Sequence, residues 1–401
     1  MTTKETGRDK WVSASLIVGA VLAGMAAVAA QRREVPAVAA PAPVVAVTAP
    51  PPAPIAPAAP APTARPKVDL VFALDTTGSM SGLIEGAKMK IWSIASFVAR
   101  AQPTPDVRVG LVAYRDIGDA YVTRVYDLDA NLDRVYRRLL SFDADGGGDT
   151  PEHVARALHE AVHDMSWSPA ANNAVRLIYL VGDAPPHLDY QDGYDYVKAA
   201  RAAAARGIQI HAIRCGNDPD TATYWRKIAS IGHGEFLTID QNGGMHERRT
   251  PYDEELARLH DELSDTVVGY GGKGAATRAA VAAAAAAPVS VKAARAGFLS
   301  AKKDESETLD DLVGGVASGR VDIAKVPAAD LPKSLADLAP EARKEKVAEK
   351  TRARADVLDR IAKASAERDA YLKKSPTKPT GFDGEVENTL RKAGASAGLM
   401  F

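Results

Sequence analysis

At 401 residues the chain exceeds one ordinary domain of about 100 to 200 residues, leaving room for one globular unit plus attachments. Fifty Lys and Arg against 51 Asp and Glu give a formal net charge of −1, which removes the electrostatic footprint of a nucleic-acid binder, so a partner must be recognised at a site rather than by a field. The single cysteine, Cys215, excludes intrachain disulfides and a cysteine-rich zinc cluster.

Residues 1–30 open with Lys4, Arg8 and Lys10 and continue as an uncharged apolar stretch from Trp11 to Ala30. About 20 apolar residues suffice to cross a bilayer, so this segment predicts a hydrophobic helix acting as a membrane anchor or signal peptide. The small residues before Gln31 would suit cleavage. Export to the cell envelope is expected in both cases, membrane-anchored and facing outside the cytoplasm, or secreted or periplasmic if the N-terminus is removed. Residues 31–66 are dominated by Pro, Ala and Val, a composition that favours extended polyproline II and reads as a semi-rigid linker.

Between residues 67 and 271, strand-like and helix-like patterns alternate. Strands are predicted at Val68–Leu74, Val107–Tyr114, Tyr121–Leu128, Val175–Val181, Ile208–Arg214 and Glu235–Ile239, several apolar on both faces as central parallel strands are. Helices are predicted at Leu83–Arg100, Leu132–Ser141, Glu152–Met165, Tyr194–Arg206, Thr221–Ala229 and Tyr252–Val268. The second and third strands are separated only by R-D-I-G-D-A, which predicts an antiparallel pair at the sheet edge. The expected fold class is α/β, a doubly wound, mostly parallel Rossmann-like sheet flanked by helices. Residues 272–338, with their alanine run, read as low-complexity or linker sequence. Residues 339–401 read as a helical C-terminal extension with a thin apolar stripe through Val347, Leu358, Ile361 and Leu372.

Chemistry concentrates where strands end. V-F-A-L-D-T-T-G-S places Asp75, Thr77 and Ser79 on one tight loop, a carboxylate and two hydroxyls that suit hard Mg²⁺ or Mn²⁺, or that cap the following helix. Asp183 closes a second central strand, in L-I-Y-L-V-G-D-A-P-P-H. The loop G-G-G-D-T-P-E-H brings Asp149, Thr150 and Glu152 to a helix start, where Thr150 has the alternative role of N-cap. In an open α/β sheet such strand ends share one crevice.

Together these motifs resemble the von Willebrand factor A domain family and its metal-ion-dependent adhesion site. The Asp-x-Ser/Thr-x-Ser pattern matches Asp75, Thr77 and Ser79, the second-loop position falls at Thr150 or Glu152, and the third-loop acid matches Asp183. G-G-G-D-T-P-E and V-G-D-A-P-P-H look most like the hemicentin and alpha-kinase-associated variants, while D-x-P-E is similar to the second loop of integrin β subunits. The resemblance implies one Mg²⁺ or Mn²⁺, because Gly82 and Leu83 stand where integrin β subunits carry the acids of a neighbouring metal site. Asp149 is expected as a hydrogen-bond acceptor behind the ligands. It also implies a non-enzymatic protein-binding or adhesion module, whose ion accepts an Asp or Glu carboxylate from a protein ligand.

Two other readings stay open. D-T-T-G-S loosely resembles the D-K-T-G-T loop of phosphorylated ATPases, so Asp75 could be the nucleophile of a haloacid-dehalogenase-like phosphohydrolase, although Thr76 and Thr77 occupy the places of its usual chemical partners. A structural or assembly factor acting through the C-terminal helix is the other. His159 and His163, four residues apart on one helix, lack a third ligand and read as surface or interface residues, and His187 reads as part of the site rim.

Overall fold

A strand buried on both faces must lie inside a sheet with layers above and below it, and β1 (Lys67–Asp75) is buried at every position after Lys67. The computed structural model describes residues 65–170, 173–245, 249–302, 311–374 and 381–401, all within one compact unit. Five more strands follow: β2 (Asp106–Tyr114), β3 (Thr123–Asp129), β4 (Ala174–Gly182), β5 (Gln209–Cys215) and β6 (His233–Ile239). They form a six-stranded sheet in the order β3-β2-β1-β4-β5-β6. Only β3 runs antiparallel, paired to β2 at the edge as the short connection predicts. Val68 lies opposite Val107 on one side and Val175 on the other, so β1 is hydrogen-bonded along both edges.

The period-2 alternation of β1 divides two cores. Leu70, Phe72 and Leu74 face a cluster that includes α1 (Ser81–Ala99), α2 (Leu132–Leu140) and α6 (Asp253–Asp265), whereas Val71 and Ala73 face α3 (Val154–His163), α4 (Tyr196–Ala205) and α5 (Pro219–Ile231). Strand order reverses direction between β1 and β4. That switch point opens a crevice beyond their carboxyl ends, and Asp75 and Asp183 stand there.

The first 64 residues, with the expected hydrophobic helix and nearly all of the Pro/Ala-rich linker, lie outside the described residues. Among the described residues no helix is long and apolar enough to cross a membrane. Residues 272–338 differ from the linker expectation. They form α7 (Gly274–Ala285), α8 (Val289–Ala301), α9 (Leu312–Ala317), α10 (Lys333–Ala336) and short 3-10 turns. The physical reason is that small side chains let α8 approach α1 and α6 closely: Ala293, Ala294 and Ala296 are buried, the Ser96 hydroxyl donates to the Ala294 carbonyl at 2.8 Å, and Phe298 meets Trp92 at 5.6 Å. An alanine-rich sequence here is a packing surface.

One fully buried cation fastens this layer. Arg295, on α8, donates from Nε and Nη2 to both oxygens of Asp133 on α2 at 2.6 and 2.7 Å, and from Nη1 to His260 Nε2 on α6 at 2.9 Å. Because arginine can only donate, His260 accepts at Nε2 and holds its proton at Nδ1, facing Asp261 Oδ1 at 3.0 Å. Burial, with the Arg295 charge as the lesser cause, pushes the His260 pKa down to about 4. Beyond it, α11 (Pro340–Lys374) is a single 35-residue helix that buries Val347, Val357, Ile361 and Ala364. Of the expected stripe, Leu358 and Leu372 are half-buried. Arg354 of α11 is buried as well, donating to both oxygens of Asp311 at 3.1 and 3.2 Å and to Thr266. Finally α12 (Gly381–Ser396) returns to the sheet, with Phe382 against Phe72 at 5.9 Å and Thr389 hydrogen-bonded to the Tyr179 hydroxyl at 2.9 Å.

Arg295→Ala strands the Asp133 carboxylate in the core, so it is expected to cost roughly 3–5 kcal/mol in urea unfolding. A second expectation concerns pH. The unfolded chain protonates His260 near its ordinary value of 6.5 and the folded chain near 4, so stability is lost as pH falls through that window. The loss from this group is roughly 2 kcal/mol at pH 5, and His260→Gln, which can still accept from Arg295, should flatten the slope of unfolding free energy against pH by that amount.

Candidate functional site

The first loop leaves β1 at Asp75 and is pinned to β2 immediately. Thr76 donates its amide and its hydroxyl to the Tyr114 carbonyl at 2.9 and 3.0 Å, and the same hydroxyl lies 2.7 Å from the Tyr121 hydroxyl. Thr77 then turns back: its amide and hydroxyl both donate to Asp75 Oδ1, at 2.9 and 2.6 Å. Ser79 Oγ lies 3.4 Å from the Thr77 hydroxyl and its residue is exposed. The capping alternative finds no use for these hydroxyls. Thr77 precedes a 3-10 turn and Met80 precedes α1, neither with a side-chain cap hydrogen bond.

These bonds occupy one oxygen of Asp75 only. The other, Oδ2, is buried without a hydrogen-bond partner. Room against it exists because the last residue of β4 is glycine: a Cβ on Gly182 would lie 2.5 Å from the Tyr114 hydroxyl and 2.9 Å from Asp75 Cβ. Burial, and the charge of Asp183 acting in the same direction, push the Asp75 pKa up to about 7 against the hydrogen bonds from Thr77.

The second loop is zipped to the third. The Glu152 amide donates to the Pro185 carbonyl at 2.9 Å, and its own carbonyl accepts from His187 N at 3.1 Å. This main-chain pairing delays α3 until Val154, two residues later than the sequence pattern predicts, with His153 as the residue before it. Thr150 therefore does not cap that helix. It is exposed, while Glu152 is turned inward and buried. Gly147, at φ 84°, completes the contact: a Cβ there would sit 3.2 Å from Thr77 Cβ and 3.7 Å from Glu152 Oε1. The second oxygen of Glu152, Oε2, is also buried and unpartnered. Burial is the largest cause of its pKa rising to about 10, and the carboxylates of Asp75, Asp116, Asp119 and Asp183 press the same way.

Asp183, half-exposed after β4, accepts at Oδ2 from Gln241 Nε2 at 2.5 Å, while its carbonyl accepts from the Thr221 hydroxyl at 3.0 Å. Of the residues the sequence points to, Asp75, Thr77, Ser79, Glu152 and Asp183 are thus brought to one crevice, and Thr150 is exposed on the second loop. Sequence reasoning misses Gln241, which carries no motif and arrives from the loop after β6. It also misses Asp116 and Asp119, read only as hairpin turn. Their carboxylates face the second loop, with Asp119 accepting from Gly147 N at 3.2 Å.

Two buried carboxyl oxygens without donors, a hydroxyl beside them and a third carboxylate at the rim form a donor set of hard oxygens. Such groups are usually matched by hydrogen bonds, protons or a cation. The set fits a small divalent ion.

Comparison with known proteins finds the same domain family. The family model of the von Willebrand factor type A domain matches residues 69–247. The chain is 23% identical over 189 residues to an ariadne-like RING finger protein of Acanthamoeba polyphaga mimivirus, covering 43% of this chain and 18% of that protein. It is 30% identical over 122 residues to the alpha-protein kinase vwkA of Dictyostelium discoideum, covering 30% of this chain and 19% of the kinase. The chain therefore matches less than a fifth of the length of either relative. Among solved structures, an aerotolerance-related membrane protein from Bacteroides fragilis is similar over 44% of this chain and 94% of its own, at 17% identity and a TM-score of 0.31.

The site's electrostatics set a stability expectation. A carboxyl raised from 3.8 to about 7 on folding binds more protons in the folded state, so stability falls as pH rises from about 4 to about 7. In metal-stripped protein at pH 8, Asp75→Asn removes that charge while its amide oxygen still accepts from Thr77. The variant is expected to be more stable than wild type by roughly 1–3 kcal/mol in denaturant titration.

Proposed function

With residues 69–247 carrying a von Willebrand factor type A domain, we propose that this domain holds a protein partner through a divalent cation, Mg²⁺ or Mn²⁺, bound by Asp75, Thr77, Ser79, Glu152 and Asp183. The observation that carries the reading is the pair of buried, unpartnered oxygens, Asp75 Oδ2 and Glu152 Oε2, on adjoining loops at the switch point of the sheet. When bound, the ion supplies an electrophilic position at which a partner's Asp or Glu carboxylate can replace water.

The chain's own residues divide the remaining work. Thr77 holds Asp75 Oδ1 through two hydrogen bonds and so orients Oδ2 inward. Glu152 takes the second-loop role, because its backbone is locked to Pro185 and His187 and its side chain is buried, whereas Thr150 is exposed. Ser79, exposed at the mouth, borders the face a partner approaches. Gln241 fixes the rotamer of Asp183 from outside. The proposed role is binding: the Thr76 hydroxyl beside Asp75 is committed to Tyr114 and Tyr121, and the first loop carries no lysine or second acid, both of which count against phosphoryl chemistry at Asp75. The sequence of residues 1–66 supports presentation of this domain at the cell envelope on a semi-rigid tether.

Mn²⁺ titration of the purified chain, followed by electron paramagnetic resonance, tests the site. One equivalent is expected, weakened more than about tenfold by Asp75→Ala or Asp183→Ala with the far-ultraviolet dichroism unchanged. Thr150→Ala should leave it intact. Partner capture that persists in chelator, or in Asp75→Ala, would overturn the proposal.

A further inference from the structure

Beside the first site lies a second group of ligand-type side chains that the domain's adhesion chemistry does not use. Asp116 follows β2, Asp149 precedes Glu152 on the second loop, and His187 follows Asp183 on the third. One oxygen from each carboxylate and a ring nitrogen of His187 all lie within 4.8 Å of one another.

The imidazole is set by its neighbours. His187 Nδ1 lies 2.9 Å from Asp189 Oδ1, a contact that holds the ring from its outer side. Nε2 is aimed at two carboxylates, 3.3 Å from Asp116 Oδ2 and 3.7 Å from Asp149 Oδ2, on a side chain nine-tenths buried. It is buried without a hydrogen-bond partner. Two carboxylates gathered at one ring nitrogen repel one another unless something positive lies between them. Asp116 is held in a matching way. Tyr190 donates its hydroxyl to Oδ2 at 2.5 Å and stacks its ring on His187 at 4.1 Å, while Asp116 Oδ1 stays buried with no partner. The ring plane and the carboxylate are both fixed by groups outside the cluster, as outer partners fix metal ligands.

We propose that Asp116, Asp149 and His187 form a second metal site, distinct from the Asp75 site and selective for a borderline transition ion such as Zn²⁺ over Mg²⁺. One imidazole and two carboxylates are the donor types of zinc centres, whereas Mg²⁺ takes oxygen almost exclusively. Metal bonds of about 2.1 Å put tetrahedral neighbours about 3.4 Å apart, close to the two nitrogen–oxygen separations. Asp149, 62% exposed, leaves one side open to solvent and has the freedom to close the remaining distance. Such an ion would cross-link the second and third loops, which already share main-chain hydrogen bonds through Glu152.

The test uses the full chain without an affinity tag, stripped of metal and titrated with Zn²⁺ against a chromophoric chelator, with Co²⁺ as the spectroscopic substitute. One Zn²⁺ per chain is expected, not displaced by millimolar Mg²⁺, together with visible Co²⁺ absorption bands that Zn²⁺ bleaches. His187→Ala and Asp149→Asn should each weaken Zn²⁺ at least about tenfold, and Asp75→Ala should leave it unchanged. Asp149 is a surface carboxylate, so its variant keeps the test valid if the His187 variant misfolds. Absence of Zn²⁺ binding, equal binding in wild type and Asp149→Asn, or loss of Zn²⁺ in Asp75→Ala alone would each overturn the proposal. The last outcome would place the ion in the first site, and Mn²⁺ binding to Asp75 could fail without affecting this result.

Discussion

Carboxyl oxygens that have no hydrogen-bond donor in a protein interior are destabilising when ionised, and the loops at the carboxyl end of this sheet gather two of them, on Asp75 and Glu152, within reach of a third acid. Their mutual repulsion and lost hydration push both carboxyls toward protonation. A loop left to itself would relax by turning one of them to water. Here the backbone forbids it: Asp75 is the last residue of a strand paired on both sides, Thr76 is tied to Tyr114, and Glu152 is tied to Pro185 and His187. The unfavourable cluster persists because the sheet and the loop pairings over-determine it.

That burden places demands on the rest of the molecule. The face of the sheet that carries Leu70, Phe72 and Leu74 is covered by α1 and α6, and over them by α8 and α11, so the helices after residue 272 extend the core. Burying Arg295 and Arg354 in that layer is itself expensive, and each is matched by a bidentate aspartate and one further acceptor. Carboxyl oxygens at the site are left unmatched while charges in the scaffold are matched. The contrast separates a binding constellation from structural ion pairs.

The sheet is legible in the sequence because its strands are apolar runs bounded by turn residues, and observed strands begin within two residues of the predicted positions in all six. Asp75 and Asp183 are legible for the same reason: a polar residue closing a central strand points to the crevice. Local pattern could not distinguish Thr150 from Glu152, because that choice depends on pairing with Pro185, thirty-odd residues away in sequence. Asp116 and His187 look like a turn acid and a rim histidine until the loops meet. The alanine-rich stretch misleads for a different reason. Low complexity normally signals a missing core, but small side chains also permit close helix approach, and only the partners' surfaces, Trp92, Ser96 and Asp133, show which applies.

The last helix bears on the site through one short loop. Phe382 N, at the start of α12, donates to the Gly243 carbonyl at 2.9 Å, and a Cβ on Gly381 would lie 2.4 Å from the carbonyls of both Gly243 and Gly244. Two residues upstream, Gln241 reaches across to Asp183 Oδ2 at 2.5 Å and to the Ser79 carbonyl at 3.4 Å. The turn that α12 grips therefore also sets the third-loop acid and touches the first loop. Since Phe382 is itself seated on Phe72 of β1, the strand that presents Asp75 and the glutamine that holds Asp183 are both packed against the same helix end. Positioning of the two acids is thus shared between the sheet and a C-terminal element that lies outside the residues matching the von Willebrand factor type A model.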